Sequence, residues 1–360
     1  MSSILLSIIL LTGLLLHNCS PQPEDHLAST YADSTVFSLD KYAGIEPVRS
    51  APHSELEDWN NYYFDKSDCR CLFDGEFFIS VNDKYPGSKK LMITLQGGGA
   101  SWPGLEASKE SVSEDDVFEA EFATILAEKL NEEWNQVMIP YCDGSLYAGD
   151  RAADYDNDGY VDHWHWGFRN SSAAMVLTNN VFPDLEEVFI TGCSAGGYGT
   201  FTLIRLVRNF YPEAEIYVLN ESGPGLFNPD DVKGWSRIKD TWKLDQMIPD
   251  DCDVCDGQMI YWYDKYLERD PDLKIGLYSS YQDFVLYDEF LDLEPEDFRS
   301  LLLETTGYLH EKYPSRFNRF IVLGESHCVE DRNYHIEGIS YWDWVLHFMN
   351  DSEQWTDLLE

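Results

Sequence analysis

Positive charge is what this chain has least of. Its 360 residues carry 25 Lys and Arg against 65 Asp and Glu, a formal net charge of −40. Nucleic acid is excluded as a partner, because a phosphate backbone demands the opposite sign. Such a surface repels anionic polymers, and other copies of itself, at low salt. It suits a salty medium or bound divalent cations, and equally a well-solvated face with no specific partner. Metal-ligand spacing is also scarce. Cys252 and Cys255 form a CxxC, but no second CxxC and no His pair stands at zinc spacing. A small disulfide loop is the better reading of that pair. No internal repeat is visible. Apolar residues, at 44% with 14% aromatic, suffice for a core and exclude wholesale disorder.

The apolar run at residues 4–16 is too short to cross a bilayer and suits the core of an export signal, although no Lys or Arg precedes it. Residues 1–18 therefore read as a signal peptide, 19–51 as a polar tether and 52–360 as one globular domain. Cys19, directly after the run, resembles the acceptor of a bacterial lipoprotein signal, which would attach the chain to a membrane through a lipid. Ordinary cleavage nearby is the alternative. The expected location is secreted or, with the lipid, at the cell envelope. Eight Cys in an exported chain imply disulfides, whose connectivity spacing does not reveal.

Within the globular part, short β-branched runs alternate with helical patterns. Strands are expected at 90–95, 136–141, 187–191, 215–219, 274–278 and 319–323. Helices are expected at 118–134, from 171, at 198–211 and at 341–349. This alternation predicts an α/β fold, a mostly parallel sheet covered by helices on both faces. Residues 227–272, rich in Trp, Tyr and Asp, interrupt the pattern and are expected to form a cap at the sheet's edge.

The sharpest motif is Gly192-Cys193-Ser194-Ala195-Gly196-Gly197, set between an expected strand and an expected helix. A serine on such a turn, with small neighbours, is the nucleophile elbow of an α/β-hydrolase. The helix that follows directs its N-terminal amides at developing negative charge. Gln96-Gly97-Gly98-Gly99 follows an earlier strand, where an oxyanion loop of this fold belongs, and lacks the Lys-Ser/Thr ending of a phosphate loop. Gly98, Gly99 and Ala195 are thus the expected oxyanion donors. In this fold the acid and then the base come after the nucleophile. His327 directly follows a strand, with His335 in a polar loop as the fallback. Asp283 follows the strand at 274–278, with Asp288 as its rival.

These motifs are similar to those of the pectin acetylesterase family, which includes the Notum-type carboxylesterases. The likeness runs from Cys71 to Cys328. It includes Cys71-Leu72-Phe73-Asp74-Gly75, the glycines 97–99, Tyr141-Cys142-Asp143-Gly144-Ser145, Ala148-Gly149-Asp150, Phe168-Arg169, the identical Gly192–Gly197 motif and His327-Cys328. The resemblance implies a serine carboxylesterase with Ser194 as nucleophile, Asp283 as acid and His327 as base, needing no organic cofactor. It implies an acetylated polysaccharide as substrate, with a longer acyl ester on a protein or lipid as the alternative. From another class, the rival is a catalytically idle surface lipoprotein that binds glycans or calcium. Two departures, Ala100-Ser101 before Trp102 and Pro224-Gly225 after Glu221-Ser222-Gly223, are expected to fall at the acyl or sugar pocket.

One further motif comes from the residues alone. Residues 154–162 read D-x-D-x-D-G-x-x-D, like the start of an EF-hand loop. Asp154, Asp156, Asp158, the Tyr160 carbonyl and Asp162 are the expected ligands of a structural calcium ion. Position twelve is His165 and not Glu, so a shorter loop than an EF-hand is expected. The alternative is a polar turn in an acid-rich chain.

Overall fold

Aliphatic runs that are buried on both sides make the centre of a ten-stranded sheet. The computed structural model describes residues 41–360, so the expected signal peptide, Cys19 and the tether up to residue 40 lie outside the described residues. The strands are β1 (Arg49–Pro52), β2 (Trp59–Tyr63), β3 (Phe78–Asn82), β4 (Lys90–Leu95), β5 (Asn135–Ile139), β6 (Glu187–Cys193), β7 (Glu215–Glu221), β8 (Lys274–Ser280), β9 (Phe317–Val322) and β10 (Leu358–Leu359). Their spatial order is β1-β2-β3-β5-β4-β6-β7-β8-β9-β10. From β5 to β10 every pairing is parallel, while β1 to β3 form an antiparallel margin.

Side-chain alternation sorts the core into two layers. Leu91, Ile93, Val188, Ile190, Ile216 and Val218 point into one layer, and Met92, Phe189, Tyr217 and Leu219 into the other. The first layer is covered by α2 (Gly167–Val181), α3 (Ala195–Phe210), α5 (Ile260–Arg269) and α6 (Pro295–Lys312); the second by α1 (Glu121–Leu130) and α7 (Tyr341–Met349). Helices on both faces of a mostly parallel sheet are the α/β architecture expected from sequence. No helix among the described residues is long and apolar enough to cross a membrane.

Boundaries differ where local backbone decides. The helix expected at 118–134 is a 3-10 segment, Glu114–Ala120, followed by α1, which stops where Asn131 turns left-handed at φ 55°. The folded chain also begins before residue 52, correcting the expected end of the tether. Tyr42 is buried and donates its hydroxyl to Asp150 at 2.5 Å, and β1 pairs with β2. β1 is an edge strand of mostly exposed residues, so it carries no hydrophobic alternation to reveal it. Residues 227–272 hold α4 (Val232–Trp242) and α5. The latter is a crossover helix between β7 and β8, packed on α3.

The far end of α3 is anchored by charge. Arg208 is buried and donates through Nε and Nη2 to Asp270 Oδ2 at 2.9 and 2.6 Å, while Nη1 reaches the carbonyls of Pro212 and Ala214. Removing one partner of a buried pair strands the other charge, at a cost of about 3–5 kcal/mol. Arg208→Met should therefore lower the stability read from urea unfolding by about that much. A loss under about 1 kcal/mol would show that Asp270 finds water or another partner.

Candidate active site

Gly192, near the end of β6, sits opposite Leu95, the last residue of β4, and Cys193, at its end, sits opposite Glu221, the last residue of β7. At that point the chain turns sharply into α3. Ser194 carries the turn at φ 57° and ψ −123°, a conformation that costs a non-glycine residue on the order of 1–3 kcal/mol. Its amide donates to the Glu221 carbonyl at 2.9 Å. Gly196 permits the turn, since a Cβ there would overlap the Leu95 carbonyl. The expected elbow is therefore present, and α3 begins at Ala195 and not at 198, because Ser194 is its N-cap.

The glycine loop after β4 lies against this turn. A Cβ on Gly97 would touch the Cys193 carbonyl and Ser194 Cβ, at 3.1 and 3.3 Å. Gly99 has φ +74°, and a side chain there would collide with the Ala107 carbonyl. The carbonyls of Gly98 and Gly99 are tied outward, to the Lys109 amide at 2.7 Å and the Tyr141 hydroxyl at 2.9 Å. Gly99 and Ala195 border the cavity at Ser194; Gly98 does not.

Asp283 and His327 meet, as expected, across 44 residues of sequence. His327 Nδ1 stands 2.9 Å from both carboxylate oxygens of the fully buried Asp283. An ionised carboxylate only accepts, so Nδ1 carries the hydrogen and Nε2 is the basic nitrogen. Nε2 is buried and has no partner among the described residues. The rivals are elsewhere: Asp288 and His335 are exposed, and His335 starts a small hairpin.

A disulfide ties together the neighbours of His327 and Ser194. Cys193 precedes the serine, Cys328 follows the histidine, and their Cα atoms are 5.9 Å apart. A nitrogen of His327 lies within 4.8 Å of both sulfurs, which are bonded to each other and so are no metal site. Sequence reasoning missed Ser222, whose hydroxyl accepts the Cys328 amide at 3.0 Å. The end of β7 thus holds both loops, Glu221 that of the serine and Ser222 that of the histidine.

The cavity beside Ser194 measures ≈ 60 Å³. Its walls include Leu105, Leu146, Tyr198, Leu286 and Phe290, with Glu289 as its one carboxylate. Pro224-Gly225, expected here, is not part of it. A Cβ on Gly225 would instead meet Phe201 and the Ile260 amide, because the chain has already left the sheet edge and is packing under α5. Ala100 does border the cavity. Leu146 is placed by the Tyr-Cys-Asp-Gly-Ser turn. Asp143 accepts the Ser145 amide at 2.8 Å and the Ser145 hydroxyl, and Leu146 and Tyr147 follow at φ 54° and 63°. Burial pushes the Asp143 carboxyl up to about 6.

The acidic loop gathers part of its expected set. One carboxylate oxygen from each of Asp154, Asp156 and Asp162 lies within 4.8 Å of the others. Asp158 and Tyr160 are not in that group. Asp158 Oδ1 accepts the Tyr160 amide at 2.8 Å in a local turn, and Tyr160 is exposed. Asp154 Oδ1 is buried without a partner among the described residues.

Comparison with known proteins agrees with the motifs. Residues 83–249 match the family model described as Pectinacetylesterase. Pectin acetylesterase 5 and Pectin acetylesterase 4 of Arabidopsis thaliana are 26% and 25% identical over 161 and 162 residues, 40% and 41% of this chain. Palmitoleoyl-protein carboxylesterase NOTUM of Drosophila melanogaster is 24% identical over 201 residues, 47% of this chain. These matches span 36%, 38% and 29% of the relatives' own lengths, so the chain covers little more than a third of each plant protein. Among solved structures, the Wnt deacylase Notum from Drosophila superposes with a TM-score of 0.51 at 17% identity, over 88% of this chain and 96% of the other. The resemblance to the pectin acetylesterase family therefore holds, and the fold is that of an α/β-hydrolase. The family match includes Ser194 but stops before Asp283 and His327.

The disulfides differ in the loops they close. Cys193–Cys328 spans 135 residues and Cys252–Cys255 only 3. Removing the first by Cys193→Ala/Cys328→Ala should cost about 2–5 kcal/mol in urea unfolding, and removing the second clearly less. Equal losses would contradict this account of the tether.

Proposed function

We propose that this relative of the pectin acetylesterases is an exported carboxylic ester hydrolase that removes short acyl groups, acetyl foremost, from a polysaccharide. One observation carries the reading: a buried carboxylate holds Nδ1 of a histidine whose neighbour is disulfide-bonded to the residue before an elbow serine. In this mechanism Ser194 Oγ attacks the ester carbonyl and His327 Nε2 takes its proton. Asp283 keeps the imidazole in the needed tautomer and offsets its charge. The amides of Gly99 and Ala195, which border the cavity, stabilise the tetrahedral oxyanion, with the N-terminus of α3 behind Ala195. His327 returns the proton to the departing alcohol. Water then attacks the acyl-enzyme by the same route and frees the acid. No organic cofactor enters these steps.

The cavity supports an acyl group. Its lining around Ser194 is mostly apolar, which suits the alkyl part of an acyl group. Three disulfides support export to an oxidising compartment. Attachment through a lipid on Cys19 rests on the sequence pattern alone.

Ser194→Ala, His327→Ala and Asp283→Asn should each leave a folded protein whose kcat on nitrophenyl acetate falls by roughly 10³-fold or more. Pairs of these substitutions should lose little beyond the larger single loss, because the three groups act as one unit. Loss of activity in His335→Ala with near-normal turnover in His327→Ala would sink the assignment. An idle binding protein, the reading from another class, would leave Ser194 unlabelled by a fluorophosphonate.

Residues 154–162 are proposed to bind calcium as a structural ion. Asp154, Asp156 and Asp162 supply hard oxygen ligands, and the unpartnered buried Asp154 Oδ1 is the feature that favours an ion over a plain turn. Calcium at about 100 times its Kd should raise the melting temperature by roughly 3–10 °C. Asp154→Ala/Asp156→Ala should abolish the rise and Asp158→Ala should keep most of it. A melting curve indifferent to both calcium and chelator would end the proposal.

A further inference from the structure

The ester-hydrolase reading leaves open what ends the acyl pocket. We infer that the ring of Phe290 is the stop that sets acyl length, a specificity-determining side chain separate from the Ser194-Asp283-His327 group. This rests on the reading of Ser194 as nucleophile.

Phe290 borders the Ser194 cavity. Its ring also meets Trp102 at 5.5 Å, Tyr198 at 5.5 Å and Phe227 at 5.8 Å between centroids, edge-on to the first two. Tyr198 shares the cavity wall, but Trp102 and Phe227 do not border the cavity, and both are buried. The Phe290 ring therefore stands between the reacting carbon's pocket and an apolar region beyond it. That region continues, since Trp102 meets Trp242 at 6.0 Å and Phe227 meets Trp235 at 4.6 Å. Removing the ring would join the cavity to a space walled by aromatic rings, which an alkyl chain fills more favourably than water does.

The backbone on either side holds the ring in place. The Leu291 amide donates to the Leu286 carbonyl at 2.9 Å, and Asn228 Nδ2 donates to the Leu291 and Asp292 carbonyls at 3.0 and 3.2 Å. The segment starts at the acid itself. The Tyr287 amide donates to the Asp283 carbonyl at 2.9 Å and the Leu286 amide to Asp283 Oδ1 at 3.1 Å. Acid and stop thus flank one short helical turn, Val285–Phe290, whose Leu286 and Tyr287 amides are bonded to Asp283. Shortening its side chain leaves the Asp283–His327 bond in place.

The test compares kcat/KM on nitrophenyl acetate and nitrophenyl octanoate for the unsubstituted chain, Phe290→Leu and Phe290→Ala. One methylene in an apolar pocket changes discrimination by about 10–200-fold. The octanoate-to-acetate ratio should rise at least about 10-fold in Phe290→Ala, and in the same direction but less in Phe290→Leu. Phe290→Leu preserves most of the apolar contact and carries the test if Phe290→Ala unfolds. Acetate hydrolysis with an unchanged ratio in the folded variants would overturn the stop. So would an unsubstituted chain that already prefers octanoate. A folded, unsubstituted chain that cleaves neither ester would overturn the ester-hydrolase reading itself, and the stop with it.

Discussion

Strand β6 is in register with neighbours on both edges, Gly192 beside Leu95 and Cys193 beside Glu221, so three strands end at one level. Everything at the site follows from that shared ending. The glycine loop leaves β4 there, the serine turn leaves β6, and Glu221-Ser222 leaves β7. Parallel pairing makes this inevitable, because strands running the same way deliver all their C-terminal loops to one edge. A shift of one residue in β6 would turn the faces of its side chains and carry Ser194 away from the glycines.

A site so placed accumulates strain. Ser194, Leu146 and Tyr147 all occupy left-handed φ, and Ser222 does too. Fixed neighbours hold them there: the Glu221 carbonyl on the Ser194 amide, Asp143 on the turn before Leu146, and the Cys193–Cys328 bond across the gap. The elbow depends equally on missing atoms, since a single Cβ on Gly196 would enter the Leu95 carbonyl. Rigidity comes from the sheet edge and the disulfide together. The basic nitrogen of His327 has no partner among the described residues inside that frame.

The surplus of acid stays mostly away from the cavity. Among its lining residues only Glu289 carries charge, and the rest of the wall is largely aliphatic and aromatic. An apolar pocket beside a few directed polar groups suits binding of a neutral acyl group, and a solvated acidic exterior keeps such a chain dispersed. Asp283 is the exception that matters. It is fully buried, and it is accompanied by the one imidazole that gives it a hydrogen.

Much of this was readable from the chain alone. Near-continuous apolar runs such as KLMITL and EVFIT identified the central strands, because a strand buried on both faces needs apolar residues on both. Gly192–Gly197 between a strand and a helix identified the elbow, because only small residues permit that turn. Tertiary structure alone decided the rest. Nothing local distinguishes Asp283 from Asp288 in a chain with so many carboxylates; burial and the approach of His327 do. β1 was invisible because an edge strand needs no apolar alternation, and its hydrogen bonds come from β2. The partners of Cys193 and Ser222 lie 135 and 106 residues away. Phe290 reads in sequence as one aromatic among many; its place between Ser194 and two buried rings exists only once the loops after β4 and β8 are folded together. Local chemistry is written in short segments, whereas contact between distant segments depends on the register and closure of the whole sheet.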